Sequence, residues 1–71
     1  MSDNQERIAQ FRKMATDDPE NELAHYRLGD LLLKEGQFAD AAASLRRTLE
    51  LSPHFSKVYQ LLGQALLKMD R

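Results

Sequence analysis

Two histidines, a cluster of acids, one arginine pair and three glycines are the residues from which this chain could build reactive or ligand-binding chemistry. His25 and His54 stand 29 residues apart, and no second histidine lies at the i+4 spacing that lets two imidazoles on one helix face share a metal. His25 therefore reads as a helix-packing residue with one hydrogen bond, and His54 as an exposed turn residue. Asp17, Asp18, Glu20 and Glu22 lack the alternating ligand positions and central glycine of a calcium loop. Acids in such a place favour the start of the following helix through its dipole. Arg46-Arg47 has no aromatic platform interleaved for stacking bases, and Gly29, Gly36 and Gly63 are too scattered to cradle a phosphate. With no cysteine at all, thiolate chemistry, disulfides and the usual structural zinc sites are also excluded. No nucleophile–base pair, metal motif or nucleotide fingerprint remains, so the chain reads as a non-enzyme without cofactor or metal.

The elements that would carry any function are four amphipathic helices. Ile8, Phe11 and Ala15 recur at three- and four-residue spacing after Ser2 and Gln5, which can form a capping box. Asp17-Asp18-Pro19 ends that stripe, because proline has no donor to offer and restricts the residue before it. Ala24, Leu28, Leu31, Leu32 and Leu33 predict a second helix from about residue 21 or 22 to Glu35, with Asn21 as N-cap and Gly36 as a left-handed stop. Phe38, Ala41, Ala42, Leu45 and Leu49 predict a third, in which the small Ala41-Ala42-Ala43 stretch permits close approach of a neighbouring backbone. After Leu51-Ser52-Pro53-His54 a fourth stripe of Val58, Leu62, Ala65, Leu66 and Met69 follows. Short connections force successive helices antiparallel, and no segment alternates with the period of a strand.

Composition narrows the partners. The 71 residues hold ten Lys plus Arg against eleven Asp plus Glu, a formal charge of −1, which gives no field to attract a phosphate backbone. Nucleic acid is not expected as a partner. No apolar run approaches the roughly 18 residues of a bilayer span, and the first residues do not resemble a signal peptide, so no membrane role and a cytoplasmic location are expected.

The most informative pattern is a repeat. Pro19, Leu28-Gly29 and Leu32-Leu33-Lys34 return as Pro53, Leu62-Gly63 and Leu66-Leu67-Lys68, always 34 residues later. Such a period marks helical hairpins that stack to bury a shared core. The residues resemble the tetratricopeptide repeat: Leu28-Gly29 stand at its Leu-Gly pair, Leu32 at a large apolar site, and Gly36 at the inter-helix turn. Ala41, Leu45 and Pro53 stand at its small, large and terminating sites. His25 and Thr48 depart from it, standing where a larger apolar residue and an alanine are usual. The resemblance implies an all-α fold, a fragment of a right-handed helical-repeat solenoid with two stacked antiparallel helix pairs. One domain is expected over 1–71: a half repeat at 1–21, a full repeat at 22–55, and the first helix of the next at 56–71.

The resemblance further implies a protein or peptide partner held in a concave groove. Its lining would be Leu23, Tyr26, Arg27, Asp30, Leu33 and Lys34 from the second helix, and Lys57, Gln60, Leu61, Gln64 and Lys68 from the fourth. Relatives that clamp a terminal carboxylate use Lys, Asn and Arg where this chain has Tyr26, Asp30, Gln60 and Gln64, so that clamp is not expected here. The fourth helix has no closing helix after it, which leaves Val58, Leu62, Leu66, Leu67 and Met69 as an expected surface for self-association, a homodimer in the simplest case. A further reading makes the chain a structural or capping tail. The run from Phe11-Arg12-Lys13-Met14 to Leu28-Gly29 resembles segments that follow a small iron-trafficking domain in some bacterial proteins, although no residue here could itself hold iron.

Overall fold

The computed structural model describes residues 3–70, and the Ser2 half of the expected capping box lies outside them. Four helices follow in order: α1 (Asp3–Asp17), α2 (Glu22–Lys34), α3 (Phe38–Leu51) and α4 (Ser56–Met69). Each packs on the next in the chain, and α2 also touches α4. The chain is an all-α helical-repeat fragment, a slab of 29 × 27 × 15 Å.

Local chemistry sets the boundaries. The Asn21 side-chain oxygen accepts a hydrogen bond from the Ala24 N–H at 3.1 Å, capping α2. At its other end Gly36 takes a φ of 79°, so the Gly36 N–H donates to Leu33 O (3.1 Å) and the Gln37 N–H to Leu32 O (2.9 Å). Those two bonds satisfy carbonyls that the helix end would otherwise leave open. The proline turns are built alike. The Asn21 N–H donates to Asp18 O at 3.0 Å across Pro19, and the Phe55 N–H to Ser52 O at 3.2 Å across Pro53.

The core runs between the helices in two connected parts. Ile8 and Ala15 of α1 meet Ala24, Leu28, Leu31 and Leu32 of α2, with Ala41, Ala42 and Ala65 completing the cluster. Leu45, Val58 and Leu61 form the second part, with Phe55, Leu49 and Leu62 packed at its edge. Ala41 and Ala42 are fully buried where α3 presses on its neighbours, whereas Ala43 is exposed and takes no part in close packing. The closest approach is at Gly29. A Cβ built there would lie 2.7 Å from Leu45 Cδ2 and 3.4 Å from the Ala41 carbonyl oxygen.

Candidate functional site

One side of the slab carries a cavity of about 1020 Å³ between α2, the start of α3 and α4. Helical spacing decides which side chains reach it. Tyr26, Asp30, Leu33 and Lys34 line it from α2, and Lys57, Leu61, Gln64 and Lys68 from α4, stripes at spacings of three and four that keep to one helix face. Phe38, Leu67 and Asp70 complete the lining, and none of the three belongs to the groove expected from the sequence. Leu23, Arg27 and Gln60 fall outside it and are exposed elsewhere on their helices. Leu67, expected on the self-associating surface, borders both faces at the end of α4.

The cavity has an apolar floor and a charged rim. Leu61 and Leu33 double as core, and Tyr26 is braced by Phe55 with ring centroids 4.8 Å apart at 40°. On the rim Lys34 Nζ lies 3.3 Å from Asp30 Oδ2. Lys57 and Lys68 take part in no ion pair among the described residues, which leaves two cations free to meet a partner. No described buried side-chain nitrogen or oxygen lacks a hydrogen-bond partner. The half-buried His25 ring bonds through Nε2 to Pro19 O at 2.9 Å, and His54 sits exposed in the second proline turn. No group of three or more His, Cys, Asp or Glu among the described residues could hold a metal ion. No described helix is long and apolar enough to cross a membrane.

A second surface lies on the far face of α4, around a shallow depression lined by Gly63, Leu66, Leu67, Met69 and Asp70. The expected self-associating set needs correction here. Val58 is fully buried against Leu45 and Leu61, and Leu62 is tucked half-buried against the core, so neither belongs to an open face. The cause is rotation about the helix axis: Val58, Leu61 and Ala65 form the inward stripe, and Tyr59, Gly63 and Leu66 the outward one. Leu32 is 0% exposed, but Leu66, its counterpart 34 residues on, is 38% exposed, and Leu67 reaches 73%. A Cβ at Gly63 would meet nothing within 4 Å, in contrast to the crowded Gly29. The surface thus repeats the residues of a packed face without the packing. Glycines at a fixed offset were visible in the sequence; that one is pressed and the other open was not.

No curated protein matches the chain. Residues 22–55 match the family described as the tetratricopeptide repeat. That stretch takes in α2, α3 and the turn at Pro53, which carry the pressed Gly29, the left-handed Gly36 and the buried Ala41 and Leu45. Residues 22–55 are thus a tetratricopeptide repeat, a helical unit whose general role is to bind other proteins.

Proposed function

We propose that the chain is a protein-interaction module that holds a segment of a partner protein in the cavity between α2 and α4, and that it is not an enzyme. The observation that carries this reading is the cavity itself: its floor is apolar, and two unpaired lysines stand on its rim. Concave sites of this kind bury a ligand's apolar side chains while a few polar groups fix its orientation. In this reading α1 is the last helix of a preceding half unit and α4 the first of a following one, so the cavity spans a unit boundary.

The test uses the exposed Gln64, which lines the cavity without contributing to the core. A random peptide library is selected on the native chain, and the recovered peptides are rebound to a Gln64→Trp variant of unchanged helicity. Loss of at least about tenfold in affinity supports the cavity, since the indole fills it. Equal binding to both proteins rejects it.

A second reading is self-association through the outer face of α4. The open Gly63 and the 38% and 73% exposure of Leu66 and Leu67 favour it, because apolar surface grouped in this way is usually covered in use.

A further inference from the structure

We infer that α4 is the two-fold seam of a homodimer, in which α4 of a second copy lies antiparallel across Gly63. The inference rests on the self-association reading and specifies its geometry. Ser56, Tyr59, Gly63, Leu66 and Asp70 follow one another at alternating steps of three and four residues, the spacing that keeps a single stripe facing a neighbouring helix. All five are exposed or half-buried, on the side of α4 away from Val58, Leu61 and Ala65.

The repeat shows how such a stripe is covered. On α2 the counterpart of Gly63 is Gly29, and Leu45 and Ala41 of α3 close over it. An α1 helix from a second copy cannot serve in the same way. Thirty-four residues before the fully buried Ala41 stands Arg7, so that docking would bury a guanidinium with no carboxylate opposite. That disfavours an open head-to-tail chain of copies, and α3 is already enclosed between α2 and α4. The stripe on α4 is instead complementary to itself. With the axis at Gly63, the missing Cβ atoms let two backbones approach, and Leu66 of each copy packs beside Tyr59 of the other. Asp70 comes opposite Ser56 of the second copy, at a helix start whose N-cap, Phe55, provides no side-chain acceptor. A carboxylate there meets the positive end of the helix dipole. Lys57 and Lys68 turn toward the cavity and stay outside the seam.

One helix on one helix covers less than the 1,200–2,000 Å² or so of standard stable interfaces, so the association is weak. Sedimentation equilibrium of the full chain should show the mass rising toward a dimer between ~10 µM and ~1 mM. Leu66→Arg and, as a variant at a more exposed site, Leu67→Arg should each weaken dimerisation by at least about tenfold. Because the chain has no cysteine, Gly63→Cys adds a lone thiol where a Cβ meets nothing. Under mild oxidation it should cross-link at least about tenfold faster than Gln10→Cys on α1, since a disulfide needs Cα atoms within about 7 Å. A mass that stays monomeric through ~1 mM overturns both the seam and the broader self-association reading. A dimer that cross-links no faster at residue 63 than at residue 10, or that survives both arginine variants, overturns the seam alone.

Discussion

The carbonyl of a proline receives a side chain in the same way at both turns. His25 Nε2 bonds to Pro19 O at 2.9 Å, and the Tyr59 hydroxyl donates to Pro53 O at 3.0 Å, with donor and acceptor each shifted by 34 residues. Histidine and tyrosine look unrelated in a sequence, yet both offer a flat ring with a polar tip at the reach the turn requires. Thr48, the other departure from the repeat pattern, is fully buried and donates to Ser44 O at 2.9 Å, so its hydroxyl is satisfied by its own helix. Glu35 illustrates a longer reach. The Asn4 amide donates to one of its oxygens at 3.0 Å and the Gln5 amide to the other at 3.2 Å, fastening α1 to the end of α2. These bonds, Asn4 first, hold the carboxyl below its ordinary value of 4.5, with only weak opposition from desolvation. Because the folded-state pKa is the lower one, the stabilisation is present above the unfolded value and is lost as pH falls through the folded one. Glu35→Gln should therefore lower the thermal midpoint slightly at pH 7, and the gap to the native chain should close as acidification protonates the Glu35 carboxyl of the folded chain. In the core, Leu45→Ala should cost about 2–5 kcal/mol, comparable with the whole stability of a domain this small. Far-UV circular dichroism would then show a largely unfolded chain at 25 °C.

At the level of the helices, ends matter more than middles. Asn21→Ala removes the acceptor for the Ala24 N–H and should lower stability by about 1 kcal/mol in urea denaturation, with the slope unchanged. Gly36→Ala forces a side chain into a left-handed conformation at φ 79° and should cost a similar amount by the same measurement. These ends were legible in the sequence because caps and proline turns are local chemistry: Asn21, Gly36, Pro19 and Pro53 act on backbone within a few residues of themselves. The apolar stripes of α1 to α3 were legible for a related reason, since each buries a single face. In α4 apolar residues occupy more than one face, and periodicity could not say which side the core would take. The sequence pattern therefore puts Val58 on an open surface, whereas the fold buries it and turns Tyr59 and Gly63 outward. For the cavity, the two inner stripes could be read from helical spacing, whereas Phe38 and Asp70 enter it from helix ends whose direction depends on the turns. The Asn4 and Gln5 bonds to Glu35 link residues about 30 positions apart, beyond any local signal.

In the molecule as a whole, one packing unit is used once in full and once only in part. α3 covers α2 at Gly29, but among the described residues nothing covers α4 at Gly63, and the slab carries the cavity on one side and that open helix on another. The same substitution at two equivalent glycines should therefore have opposite effects. The decisive measurement is urea denaturation of Gly29→Ala and Gly63→Ala, made dilute enough to keep the chain monomeric. Gly29→Ala should lose about 1–3 kcal/mol, because its methyl would collide with the buried Leu45. Gly63→Ala should gain about 0.5–1 kcal/mol, because alanine favours the helix and meets no neighbour. If both variants shift in the same direction by similar amounts, the two glycines share one environment, and the account of a covered and an uncovered repeat face is wrong.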